Sequence, residues 1–296
     1  MAAPTVDGRM ICASKWAYAV SEPGSVGAVE PYSSGSGLEG GLVGFATGSS
    51  RIDAALVGTG PDGVVLAFRG TLPPASPDHE QTLKDWLNDV GVALVSGDKL
   101  PGLVHHGFLG ALDALWPDVA SAVAEQMASS PVKHLNITGH SKGGSVAHLA
   151  AARFALSSVV HGSDITVRTF EGAHPGDASF ADGYLRLVSD VIRYEFQDDL
   201  VPHVPPSIMF RHLFAAEPFF APLMAIDDRV DYAPAGVLSF IDWSGQFRSA
   251  STVLSTERLF HLSQAIATGA FVKIVGDHSV DCSSGTFRAV CPSLAC

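Results

Sequence analysis

Leu135-Asn136-Ile137-Thr138-Gly139-His140-Ser141-Lys142-Gly143-Gly144-Ser145-Val146-Ala147 is the stretch on which the fold turns. A short apolar and β-branched run ends at Thr138, a Gly-x-Ser-x-Gly pattern follows, and small residues then continue toward Ser157. This predicts a strand at His134–Thr138 and a helix at Lys142–Ser157, with Ser141 on the turn between them. A serine held on so tight a turn has a strained backbone, and glycines two residues to each side remove side chains that would collide with it. The helix that follows aims its first N–H groups at the place where an oxyanion would form. Ser141 is therefore a candidate nucleophile.

Outward from this turn the same rhythm continues. Upstream, Ile52–Val57 and Val64–Phe68 are strand-like and joined by Gly58-Thr59-Gly60-Pro61-Asp62-Gly63, a hairpin turn sequence. A helix is expected over Leu103–Ala128. Downstream come a strand at Ile165–Phe170, a helix at Ser179–Val188 and a strand at Val191–Phe196. A last helix around Thr256–Ala267 and a buried strand at Ala270–Val275 complete the pattern. Strands alternating with helices specify a mostly parallel central sheet with helices on its faces. Asp7–Val20 has the spacing of an amphipathic helix, Ser33–Gly41 reads as a loop, and the Pro-, Phe- and Met-rich stretch Val201–Val230 as an insertion over a pocket. With no linker or repeat in view, residues 1–296 are expected to form one α/β domain.

A serine needs a base and an orienting acid, in the chain order Ser, Asp or Glu, His. Gln197-Asp198-Asp199-Leu200 follows the strand Val191–Phe196 and puts two carboxylates at a strand's C-terminal end. On position alone either aspartate qualifies. His278 leaves the last expected strand downstream of both, whereas His203, only four residues beyond Asp199, is the weaker competitor for the base. The run Ala67-Phe68-Arg69-Gly70-Thr71 ends a strand in a glycine turn whose freed N–H groups can complete an oxyanion hole. A metal reading would gather His203, Asp198, Asp199, Asp277, His278 and Asp281, but no tight ligand spacing supports it; no metal and no cofactor are expected.

Composition excludes several classes. Hydrophobic residues make up 47% and charged residues 16%, against about 25% charged in an average soluble domain, so disorder is excluded. Eighteen Lys and Arg against 30 Asp and Glu give a net charge of −12, which repels a polyphosphate backbone and makes nucleic acid an unexpected partner. The longest charge-free run, Leu259–Val272, falls short of the ~18 residues a spanning helix needs. Met1–Val20 has no continuous apolar region, so no secretory signal is expected within it. Cys12 stands apart from Cys282, Cys291 and Cys296, which crowd together near the end. That clustering predicts one or two disulfides and a secreted protein, with a cytoplasmic one as the alternative.

Six stretches in fixed order resemble the class 3 lipases, the fungal-type branch of the α/β-hydrolase fold. They are Phe68-Arg69-Gly70-Thr71, Asp85-Trp86-Leu87-Asn88-Asp89, Val104-His105-His106-Gly107-Phe108, Gly139-His140-Ser141-Lys142-Gly143-Gly144, Thr169-Phe170-Glu171-Gly172-Ala173 and Asp199-Leu200-Val201-Pro202-His203-Val204-Pro205. The resemblance implies Ser141 as nucleophile, Asp199 as acid and His278 as base. It implies backbone N–H groups of Thr71 and Lys142 in the oxyanion hole, and a lid over Leu72–Leu83. Lys142 stands where the family usually has Leu. The expected reaction is hydrolysis of carboxylic esters, triacylglycerols first, with a lipid substrate met at a lipid–water interface. The substrate's apolar part is expected against Phe214, Phe219, Phe220, Leu223 and Met224. An esterase for short or aryl esters and a phospholipase are the alternatives within catalysis, and a non-catalytic lipid-binding module is the alternative outside it.

Overall fold

Successive residues of the central strands face two different cores, and that alternation organises the molecule. Val64, Leu66 and Phe68 pack into one buried cluster, while Val65 and Ala67, between them, pack into another. Ala55 and Val57 face the first cluster, and Ala54 and Leu56 the second. A strand buried on both faces reads as a continuous apolar run rather than an alternating one, which is how much of the chain's apolar excess is used.

The computed structural model describes residues 4–48, 51–71, 93–157, 159–215 and 229–294. Helix α1 (Val6–Trp16) and the short α2 (Tyr32–Ser36) precede strands β1 (Gly40–Thr47), β2 (Asp53–Gly60) and β3 (Gly63–Phe68). Strands β4 (Leu94–Val95) and β5 (Val104–His105) then lead into α3 (His106–Ser129), followed by β6 (Leu135–His140), α4 (Lys142–Leu156), β7 (Ile165–Phe170), β8 (Gly176–Asp177), α5 (Ala178–Leu187) and β9 (Asp190–Phe196). The remainder comprises α6 (Ile208–Leu213), β10 (Tyr232–Ala233), β11 (Val237–Ile241), β12 (Phe247–Arg248), α7 (Thr252–Ala267), α8 (Phe271–Asp277) and α9 (Gly285–Val290).

The main sheet has eight strands in the order β1-β2-β3-β6-β7-β9-β11-β12. Strands β3, β6, β7, β9 and β11 run parallel, and β1, β2 and β12 join antiparallel. The first cluster buries α3, α4 and α5 on one face, and the second buries α1 and α9 on the other. This is the α/β-hydrolase arrangement expected from the sequence.

Several local expectations need correction. Ala270–Val275 is not a buried strand: helix α8 occupies Phe271–Asp277, with Ile274 and Asp277 buried three residues apart while Val272 is 68% exposed. A short apolar run lacks the length to distinguish the two periods, so His278 leaves a helix end rather than a strand end. Ser33–Gly41 contains α2 and the start of β1, a strand whose glycines hid it. The N-terminal helix is buried on most of its circumference because it lies against the sheet. Cys282 is disulfide-bonded, but Cys12 and Cys291 are free, buried and hydrogen-bonded to each other, so a second disulfide is not formed. Among the described residues no helix is long and apolar enough to cross a membrane.

Candidate active site

The turn between β6 and α4 carries Ser141 at φ 58° and ψ −132°, a conformation costly for a residue with a Cβ. Its N–H donates to the carbonyl of Phe170 and its own carbonyl accepts from Gly144, which lock the turn at both ends. A Cβ on Gly139 would lie 2.3 Å from the Gly143 carbonyl, and one on Gly143 would lie 2.3 Å from the Phe68 carbonyl oxygen. The first glycine lets the turn close on itself, and the second lets it sit against the end of β3.

That contact brings the Arg69-Gly70-Thr71 segment to the serine. Gly70 approaches so closely that a Cβ there would lie 3.0 Å from the Ser141 Cβ. The Arg69 guanidinium anchors the segment by donating to the carbonyls of Val20 and Arg51. Thr71 is exposed immediately beyond. Lys142 is the first residue of α4, where a backbone N–H has no partner within the helix. Its ammonium turns to β2, 2.7 Å from the Asp53 carboxylate and 3.3 Å from the Ile52 carbonyl oxygen.

Asp199 and His278, 79 residues apart, meet with Oδ2 2.9 Å from Nδ1. Both are buried. The other Asp199 oxygen accepts from the Val201 N–H at 2.9 Å, which fixes the carboxylate plane. Burial pushes the Asp199 carboxyl upward, and the imidazole and the Val201 amide oppose that shift. Asp198, the alternative acid, instead accepts from the Trp243 indole and pairs with Lys273. His203 lies 3.4 Å from the Arg258 guanidinium, and burial together with that cation lowers it to about 3. It is a poor base.

Behind the pair lies a polar layer that the sequence did not announce. His140 is buried, with Nε2 2.9 Å from the His278 carbonyl oxygen and 3.2 Å from Glu171, and Nδ1 2.7 Å from the Tyr18 hydroxyl. The His140 and His278 rings lie 4.6 Å apart, which brings His278 alongside the turn that bears Ser141. Glu171 is fully buried and accepts from the Thr286 hydroxyl; burial, with Asp199 nearby, drives its carboxyl well above the usual carboxylate range. His140 and Glu171 both lie inside motifs quoted above, but no spacing rule marks them as partners.

Among the described residues, His140, Glu171 and His278 are the His, Cys, Asp or Glu residues whose ligand atoms gather within 4.8 Å. The set considered from sequence does not gather. Lys273 lies between Asp198 and Asp277, and His203 belongs with Arg258.

Phe214 is 3% exposed and stacks on Phe210 in a satellite core with Leu200 and Val204, so packing is its first role. It also lines a groove of about 740 Å³ between α6 and α7, whose apolar lining includes Met209, Leu213, Leu259 and Phe260. Phe219, Phe220, Leu223 and Met224 lie outside the described residues, as do the expected lid Leu72–Leu83 and the Asp85–Asp89 stretch.

Residues 65–209 match the lipase (class 3) family model. The lipase of Rhizomucor miehei is 26% identical over 159 residues, covering 53% of this chain and 41% of the relative. The secreted mono- and diacylglycerol lipase 1 of Fusarium solani is 26% identical over 151 residues, covering 50% and 41%. The chain thus spans about two fifths of the length of these curated relatives. A solved triacylglycerol lipase, described as having a catalytic centre formed by a serine protease triad, superposes with a TM-score of 0.63 at 20% identity, over 86% of this chain and 91% of that one. The fold is that of the α/β-hydrolases.

Proposed function

We propose that this chain is a serine hydrolase of the class 3 lipase type that cleaves carboxylic esters, with triacylglycerol as its substrate class, through an acyl-enzyme on Ser141. The observation that carries the reading is the buried 2.9 Å contact between Asp199 and His278, held beside a serine in strained backbone. His278 takes the proton of the Ser141 hydroxyl as Oγ attacks the ester carbonyl, and Asp199 holds the imidazole in the tautomer whose Nε2 is unprotonated and can accept it. The backbone N–H groups of Thr71 and Lys142 receive the oxyanion. His278 then passes its proton to the departing alcohol. Water repeats the sequence on the acyl-enzyme and releases the acid.

The groove beside Phe214 supports an apolar acyl group as the substrate's recognised part, since among the described residues its lining combines apolar side chains with serine and threonine hydroxyls and holds no charged residue. The whole chain is read as a single α/β unit acting on a lipid substrate at a lipid–water interface. The disulfide at Cys282 supports an extracellular setting, as does the secreted Fusarium relative.

Side-by-side hydrolysis of triolein, tributyrin, a p-nitrophenyl ester series and a phospholipid tests the proposal. Ser141→Ala is expected to lower turnover by several orders of magnitude and to abolish labelling by a fluorophosphonate. Cleavage confined to acyl chains of four carbons or fewer would replace lipase by esterase. Preferential phospholipid cleavage would replace it by phospholipase.

A further inference from the structure

Asp198 and Asp277 each stand immediately before a member of the Asp199–His278 pair, and they are tied to each other. The backbone N–H of Asp198 donates to Asp277 Oδ2 at 3.0 Å. The Lys273 ammonium lies on that same oxygen and 2.9 Å from Asp198 Oδ2, so one cation bridges the two carboxylates. The Trp243 indole N–H holds the remaining Asp198 oxygen at 2.8 Å, and Lys273 also reaches the Gln197 amide oxygen at 3.2 Å. Both carboxylates are largely buried, whereas the Lys273 side chain is 42% exposed.

Two buried carboxylates that share one cation repel each other without it. Asp198 sits on the turn that leads into the proposed acid, and Asp277 ends α8 immediately before the proposed base. We propose that Lys273 is a positioning residue that clamps the turn bearing Asp199 to the C-terminal end of α8, which bears His278, and so sets the geometry of the pair. This rests on the catalytic reading above. Lys273 touches neither substrate nor reacting atoms; it acts through the two aspartates. Burial raises the Asp277 carboxyl, and Lys273 opposes the shift.

The chemistry suggests a rescue that ordinary structural damage would not allow. In Lys273→Met the carboxylates face each other unneutralised. In Lys273→Met with Asp277→Asn the repulsion is gone, and the new amide can both accept from the Asp198 N–H and donate to the Asp198 carboxylate. Lys273→Arg keeps the charge.

The test measures kcat and KM on a soluble p-nitrophenyl ester, together with the rate of inactivation by a fluorophosphonate, for these three variants. Lys273→Met is expected to lower kcat and the inactivation rate together by about tenfold or more, with KM within about twofold, because misplacement of catalytic groups acts on the chemical step. Lys273→Arg is expected to stay within about threefold of the parent, and the double variant to recover most of the loss, as a repulsive coupling requires. A Lys273→Met enzyme with parental kcat and inactivation rate would overturn the clamp. So would a double variant as impaired as the single one, and if Lys273→Met does not fold, Lys273→Arg and the double variant decide. Failure of the parent protein to react with the fluorophosphonate would instead overturn the catalytic reading, which separates the two.

Discussion

His140 Nε2 lies 2.9 Å from the backbone carbonyl oxygen of His278. A carbonyl only accepts, so Nε2 carries the proton and Nδ1 accepts from the Tyr18 hydroxyl at 2.7 Å. Burial holds His140 well below the usual imidazole range, and the nearby His278 adds to the effect, so the ring stays neutral and keeps this tautomer. The residue before the proposed nucleophile thus holds the main chain of the proposed base.

Replacing His140 by Phe leaves the His278 carbonyl and the Tyr18 hydroxyl without this partner. Unfolding free energy is expected to fall by about 2 kcal/mol, the usual cost of stranding buried polar groups. Turnover is expected to fall by about tenfold or more as the base loses its support. His140→Gln, which can place an amide N–H near Nε2, should lie between Phe and the parent in both urea unfolding and kcat. Equal losses for Gln and Phe would remove the hydrogen bond from the account.

Glu171 provides a prediction with a definite sign. Its carboxyl is raised in the folded protein, so between about 4.3, the unfolded value, and its folded value the native state binds more protons than the unfolded state. The stability this group contributes is complete below that lower limit and is lost as pH rises toward the folded value. Glu171→Gln cannot ionise and removes this loss. Urea unfolding at pH 5 and pH 8 should therefore show the variant gaining on the parent as pH rises, by at most about 1.4 kcal/mol per pH unit. Parallel stability curves for the two proteins would mean that Glu171 is ionised when folded.

The sequence made the framework of the site readable because that framework is built from local rules. Ile165–Phe170 is a strand at the bounds expected, and the Gly-x-Ser-x-Gly turn lies between a strand and a helix as its glycines require. Asp199 was proposed from chain order and a matched motif, and His278 from chain order and an expected strand end that is a helix end in the structure. The failures come from non-local causes. Ala270–Val275 is apolar at strand length, and only packing decided for a helix with Ile274 inward. The Lys273–Asp198, Trp243–Asp198 and Glu171–Thr286 contacts join segments 45 to 115 residues apart. No pattern in one sequence declares such pairings. Phe214, expected against the substrate from its place in a Pro-, Phe- and Met-rich insertion, packs in a satellite core and also lines the groove, two roles that hydrophobicity does not separate.

Two glycines separate steric need from simple tolerance. A Cβ at position 143 would lie 2.3 Å from the Phe68 carbonyl oxygen, a main-chain atom that cannot yield without moving β3. Gly143→Ala is expected to cost more than about 3 kcal/mol or to prevent folding, the range of severe backbone clashes. Gly110, exposed within α3, has open space at its Cβ position. Gly110→Ala should stabilise the protein by about 0.5–1 kcal/mol through helix propensity. Thermal unfolding of the two variants checks both signs, and a tolerated Gly143→Ala would contradict the packing of the turn on β3.

Lys142 tests whether the side chain beside the proposed oxyanion hole acts there or elsewhere. Its ammonium is 2.7 Å from Asp53, and the two side chains are 18% and 17% exposed, so the pair is shielded and the charge is neutralised at β2. If catalysis uses only the Lys142 backbone N–H, Lys142→Leu should keep kcat within about threefold, since no interaction specific to the transition state is lost. The cost should appear in stability instead, at about 1–2 kcal/mol, because the Asp53 carboxylate is left partly buried without its partner. Lys142→Leu combined with Asp53→Leu should recover part of that cost, a coupling of about 1 kcal/mol in a double-mutant cycle. Urea unfolding and kcat on a soluble ester for the parent, both single variants and the double variant provide the cycle. A hundredfold loss of kcat in Lys142→Leu with additive stabilities would place the ammonium at the reacting centre and remove it from β2.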